Sequence, residues 1–217
     1  MNKSTKANEP TADVVNRVEG NSDNSVAFIF SCPGRFEFEK QTLVSGPTGT
    51  NLVQLLMLLN KERPDAFKYT EKSDYRITNA SNIVHCKEKE NGSEPSCSEI
   101  KDTKNINRLF DDIRGYNIII AFGKKACYAT RQVSHKFEFA ECKMILVHHL
   151  GNQGLAHIKK DIYNNDIRPA NKGGKKTKND NTTKRLQVIS RCIIEQLSHV
   201  APGTHPIASP VESPTKG

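Results

Sequence analysis

Apolar residues along the chain fall into short blocks separated by polar stretches. Val26–Phe30 (VAFIF) and Asn117–Phe122 are nearly continuous apolar runs, the pattern of strands buried on both faces. Ile77–Val84 and Met144–Val147 read as two further strands. Between them, Asn51–Leu59 is apolar enough for a largely buried helix. Asn105–Ile113 sets Ile106, Leu109, Phe110 and Ile113 on one helical face. Gly123 opens a helix over Lys124–Thr130, and Arg185–His199 reads as a final amphipathic helix. Val14, Val15 and Val18 suggest a brief helix within residues 1–24, an otherwise polar N-terminal segment. Ser31-Cys32-Pro33-Gly34 is a turn signal, the stretch holding Gly46, Pro47 and Gly49 reads as a polar connection, and Lys87–Ser98 reads as a loop.

Strands alternating with helices predict an α/β protein, a three-layer α/β/α sandwich around a central four-stranded, mostly parallel sheet. Residues 25–200 form one domain in this reading. Asn171–Lys184 has almost no apolar content and is expected to be a mobile basic loop. Ala201–Gly217 carries four prolines and is expected to be a disordered tail. In such folds the functional loops leave the carboxyl ends of the strands. Ser31–Glu37, Asn79–Cys86 and His148–Gly154 should therefore converge.

Composition narrows the class. Hydrophobic residues make up 35% of 217, which suits one core with polar appendages. No run approaches the roughly 20 apolar residues of a membrane span, and residues 1–24 lack a secretory apolar stretch, so a cytoplasmic location is expected. The six cysteines (Cys32, Cys86, Cys97, Cys127, Cys142, Cys192) include no C-x2-C pair. They are read as buried thiols in a reducing compartment, with no metal site and no cofactor. Lys and Arg number 32 against 24 Asp and Glu, a net charge of +8. That excess fits a polyanionic partner such as nucleic acid, or a merely Lys-rich surface.

Four segments at the predicted strand ends are similar, in order and spacing, to motifs of the uracil-DNA glycosylase superfamily. Phe30-Ser31-Cys32-Pro33-Gly34-Arg35-Phe36-Glu37, followed by Ser45-Gly46-Pro47-Thr48-Gly49, resembles its first motif. Asn82-Ile83-Val84-His85-Cys86-Lys87 resembles the second, and Ile118–Ala126 the third. Val147-His148-His149-Leu150-Gly151 resembles the last. The resemblance runs from Val26 to Leu155 and implies a monomeric, monofunctional DNA glycosylase. Such an enzyme flips a base out of DNA and hydrolyses its N-glycosidic bond to leave an abasic site.

Under that resemblance Asn82 reads the base, with Asn79 as a nearby candidate, and Cys32, Pro33, Gly34 and Val44 line its pocket. His149, or His148 in the alternative register, stabilises the departing base. Ser31 holds a water, and Glu37 either orients it or braces the loop. Gly151, Asn152 and Gln153 approach the duplex, where Leu150 or Leu155 acts as a wedge or belongs to the core. Lys172, Lys175 and Lys176 contact phosphates or form a solvated loop. The chain departs from the family pattern at Ser31 and Cys32, where many branches carry an acid or amide, and at Val44, where the pocket aromatic stands. The second departure suggests a base bulkier than uracil, with Phe36 or Phe38 as an alternative stacking face. Superfamily members that remove glucosylated hydroxymethylcytosine from phage DNA offer one parallel for a defence role, and conventional uracil repair or a non-catalytic DNA-binding protein are the alternatives.

Overall fold

Five strands, β1 (Arg17–Val18), β2 (Val26–Phe30), β3 (Arg76–Asn79), β4 (Ile118–Phe122) and β5 (Lys143–Val147), make one sheet in the order β1-β3-β2-β4-β5. A computed structural model describes residues 17–86, 92–139, 142–167 and 174–199, without the side chains of 174–177 and 199. β1 pairs antiparallel with β3, and the remaining neighbours are parallel. Among the described residues the helices are α1 (Arg35–Lys40), α2 (Gly46–Glu62), α3 (Cys97–Lys101), α4 (Thr103–Ile113), α5 (Lys124–Lys136), α6 (Asn152–Ala156) and α7 (Gly174–His199).

The two-residue period of a strand explains why VAFIF is wholly buried. Val26, Phe28 and Phe30 enter one core with Leu52, Leu55, Leu56 and Leu59 of α2 and with Leu186, Ile189 and Ile193 of α7. Ala27 and Ile29 enter the opposite core with Ile106, Leu109 and Ile113 of α4 and Ala126, Ala129 and Val133 of α5. β4 divides likewise, Ile120 and Phe122 to the first core, Ile119 and Ala121 to the second. Helices therefore cover both faces of a mixed α/β fold. No helix among the described residues is long and apolar enough to cross a membrane.

Several sequence expectations need correction. The sheet has five strands rather than four. Val18 lies in the edge strand β1 instead of a helix, because it pairs with Ile77 while Arg17 reaches Asp112 at 3.2 Å. β3 ends at Asn79, not Val84. Beyond it the chain leaves the sheet, Ser81 donating to the Ser31 carbonyl at 3.0 Å and His85 to the Pro33 carbonyl at 2.9 Å. Residues 35–40 are helical where the sequence suggested only a turn and a polar stretch, and α2 starts at Gly46, five residues before the expected Asn51. Asn171–Lys184 is helical from Gly174 onward. Its polar residues are accommodated in the helix, with Asn181 buried and the Thr182 and Thr183 hydroxyls bonding back to the Lys178 and Asn179 carbonyls. The expectations for Val14, Val15 and Ala201–Gly217 lie outside the described residues.

The strand order positions the site. β2 has β3 on one side and β4 on the other, all parallel, so the chain reverses its direction of progress across the sheet at β2. Connections leaving neighbouring strands for opposite faces open a crevice beyond their carboxyl ends.

Candidate active site

A cleft of about 780 Å³ occupies that crevice. Phe30 and Phe122, from the ends of β2 and β4, form its floor and stack at 4.8 Å between ring centroids. The loop after β2 supplies Ser31, Cys32, Gly34, Arg35, Phe36 and Glu37. The start of α5 supplies Gly123, Lys124 and Lys125, and the turn after β5 supplies His149, Gly151, Asn152, Gln153 and Gly154. All three walls thus arise at carboxyl ends of parallel strands.

His149 is the most constrained group on these walls. Its ring stands edge-on to Phe30, 6.2 Å between centroids at 88°. The Gly151 N–H donates to its Nδ1 at 2.9 Å. A nitrogen that accepts must carry no proton, so the neutral ring bears its hydrogen on Nε2. Burial pushes the imidazole below its ordinary value of 6.5, and the nearby charge of Glu94 opposes that shift. His149 is accordingly a neutral Nε2–H donor at neutral pH. Three glycines make room for it. A Cβ on Gly123, whose φ is +90, would come 3.0 Å from the His149 Cβ. One on Gly151 would lie 2.9 Å from Nδ1, and one on Gly154 only 2.3 Å from the His149 carbonyl oxygen. His148, one residue earlier, is exposed and is not on the cleft wall.

Glu37 reaches the cleft, but its carboxylate is occupied. Oε2 accepts the Gly34 N–H at 2.6 Å and Oε1 accepts the Val44 N–H. Burial raises its pKa, the backbone N–H groups offsetting part of that rise. Val44 has φ +51, a conformation that β-branched residues avoid. It is held there from both sides, with Lys72 Nζ donating to its carbonyl at 2.8 Å. This turn directs the Val44 side chain into the core, 1% exposed, so it does not line the cleft and the argument for an enlarged pocket loses its residue. The half-exposed aromatic on the wall is Phe36, packed over Gly46, where an added Cβ would meet its ring at 3.3 Å.

The remaining candidates divide. The Ser31 hydroxyl is buried with no hydrogen-bond partner among the described residues. Cys32 stays a thiol, its pKa pushed up to about 12 by burial. Pro33 is buried beneath the loop and is not on the wall. Asn82 is exposed and borders a separate small cavity with Ser81, Glu99 and Arg108, away from the main cleft. Asn79 sits at the end of β3, 1% exposed, with both amide atoms unpaired among the described residues, but it is not on the cleft wall either. Leu150 and Leu155 belong to the core rather than forming a wedge, and the Leu150 carbonyl accepts Asn51 Nδ2 at 2.7 Å. Lys172 lies outside the described residues, as do the side chains of Lys175 and Lys176 in α7.

Sequence reasoning passed over Thr48, His85, Glu94, Lys124, Lys125 and His157 as lining residues. His85 is buried, and its Nε2 lies 3.0 Å from both oxygens of Glu99, which also contacts the Ser81 hydroxyl. Lys124 and Lys125 were legible only as the residues after Gly123, at the amino end of a helix that follows a buried strand. That end favours anions through its free N–H groups and dipole. Compared with known proteins, the chain matches no family model and no curated protein sequence.

Proposed function

We propose that this chain is a DNA glycosylase on a uracil-DNA glycosylase-like three-layer sandwich, releasing a modified pyrimidine by hydrolysis of its N-glycosidic bond. The observation carrying this reading is His149, a neutral Nε2–H donor set over an aromatic floor in a cleft whose rim bears Lys124, Lys125 and Arg35. Breaking the bond leaves negative charge on the departing base. A fixed, partly desolvated donor stabilises that charge more in the transition state than in the ground state. A neutral imidazole suits the task better than a cation, since it donates without first having to be kept charged in a buried site. Phe36 offers a face on which a flipped base stacks, and the lysines offer phosphate contacts. The cleft volume falls within the roughly 300–1,000 Å³ typical of small-molecule sites, so a base carrying a sugar substituent fits this reading as well as a bare one.

The test is base release from a uracil duplex, from unmodified DNA and from DNA containing glucosylated hydroxymethylcytosine, scored as abasic sites and free base. Release from one modified DNA is expected, falling about 10²–10³-fold in His149→Ala, the usual cost of losing one donor to a developing anion. The DNA that reacts separates repair from defence. No release from any of the three, with salt-sensitive binding retained, would instead make this a non-catalytic DNA-binding protein.

A further inference from the structure

Stabilising the leaving base is half of the reaction. The sugar carbon becomes positive as the bond breaks, and the attacking water must lose a proton. A carboxylate answers both needs. Among the described residues two carboxylates line the cleft, Glu37 and Glu94. Each oxygen of Glu37 already accepts a backbone N–H, so one lone pair on each is engaged and the carboxylate is fixed to the turn. Glu94 is exposed on the wall and makes no hydrogen bond or ion pair with a described residue.

The next two residues anchor its position. Pro95 is buried, and the Ser96 side chain caps α3 by accepting the Glu99 N–H at 3.1 Å. Glu94 lines the same cleft as His149 after β5 and Cys32 after β2, and its charge acts on both. It therefore shares the cleft with the group that would hold the base and with the loop that begins the opposite wall.

We propose that Glu94 is the catalytic carboxylate of this cleft, orienting the attacking water, taking its proton and facing the positive charge on the sugar. The inference rests on the glycosylase reading and names the group that reading leaves unassigned. As the C1′–N bond breaks, its electron pair leaves with the base, whose anionic oxygen accepts the hydrogen bond from His149 Nε2–H. The water oxygen bonds to C1′. The water proton passes to Glu94 and then, through solvent, to the released base, so DNA and water become an abasic site and a neutral free base.

The test is single-turnover base release at saturating enzyme, with DNA affinity measured in parallel, for wild type, Glu94→Gln, Glu94→Asp and Glu94→Ala. Glu94→Gln is expected to slow release about 10²–10⁴-fold, the usual contribution of a positioned base. Its affinity for DNA should hold or tighten, because a negative charge facing a polyanion has been removed. Glu94→Asp should keep more activity than Glu94→Gln, and added formate should restore part of the Glu94→Ala rate. An active wild type with Glu94→Gln within a few fold of it would overturn the assignment of Glu94 alone. So would a defect that vanishes once enzyme is saturating, since that marks a binding role. A wild type that releases nothing overturns the glycosylase reading, and the role of Glu94 with it.

Discussion

Replacing Glu37 by alanine separates its two possible roles, because one acts through stability and the other through rate. The carboxylate accepts the Gly34 N–H at 2.6 Å and the Val44 N–H, and Val44 is held at φ +51. Without it, both N–H groups lose their acceptor in a turn packed against the first turn of α2, where Gly49 leaves no space beside the Val44 carbonyl. Each orphaned buried donor costs about 1–3 kcal/mol, so partial rehydration leaves a loss of about 2–4 kcal/mol. For a protein of this size that lowers Tm by roughly 5–15 °C. Glu37→Gln should fall between, since its single carbonyl oxygen serves one donor while its NH2 faces the other.

The same pair of variants carries a pH signature. Burial holds the Glu37 pKa above its ordinary value of 4.5, so the native state keeps this proton to higher pH than the unfolded chain does. The stability contributed by this ionisation is full below the unfolded value and is lost as pH rises through the native one. Urea melts should therefore show the advantage of wild type over Glu37→Gln shrinking as pH rises above the ordinary value of 4.5. A Glu37→Ala protein as stable as wild type would refute the bracing account. If that protein also lost base release, Glu37 would be catalytic after all.

Three further outcomes are expected. Gly154→Ala should displace the His149 backbone, because its Cβ would sit 2.3 Å from the His149 carbonyl oxygen; thermal melts should register a loss of about 1–3 kcal/mol, with base release reduced beyond that. Phe36→Ala, at a half-exposed ring, should leave Tm unchanged while weakening DNA binding by about 1–3 kcal/mol, the worth of one base–aromatic stack, as read by titration. Lys124→Gln with Lys125→Gln should make the log–log salt dependence of DNA affinity shallower by about 0.9 for each lysine that touches a phosphate, and an unchanged slope would take both off the interface.

Much of the fold was legible because buried parallel strands and amphipathic helices write strong patterns. VAFIF and the face of Ile106, Leu109 and Ile113 are where their periodicities put them. β1 left no such trace, since two residues cannot express a period and the pairing is made by Ile77 and by a charge on α4. The site was harder to read for a geometric reason. Motif spacing counts residues but not the directions in which side chains leave the chain. One turn at positive φ sends Val44 into the core, and one early exit from the sheet takes Asn82 to another surface. The alternation along β5 did show which histidine would turn to the cleft: Ile145 and Val147 face the first core, and His149 continues that parity where His148 does not. The close approach of Gly123 to His149 joins separate loops, and no local pattern announces it.

The crowding around His149 makes the two sides of the cleft unequal as material for change. On the histidine side, any side chain larger than hydrogen at positions 123, 151 or 154 moves the donor itself. Across the opening, Arg35 and Phe36 are exposed and Thr48 is partly so, with room for other residues. Under the proposed glycosylase reading, preference for one base over another is therefore free to drift on the side that begins after β2, while the side after β5 stays fixed. A library aimed at retargeting this protein belongs at positions 35, 36 and 48, and its survivors should keep all three glycines.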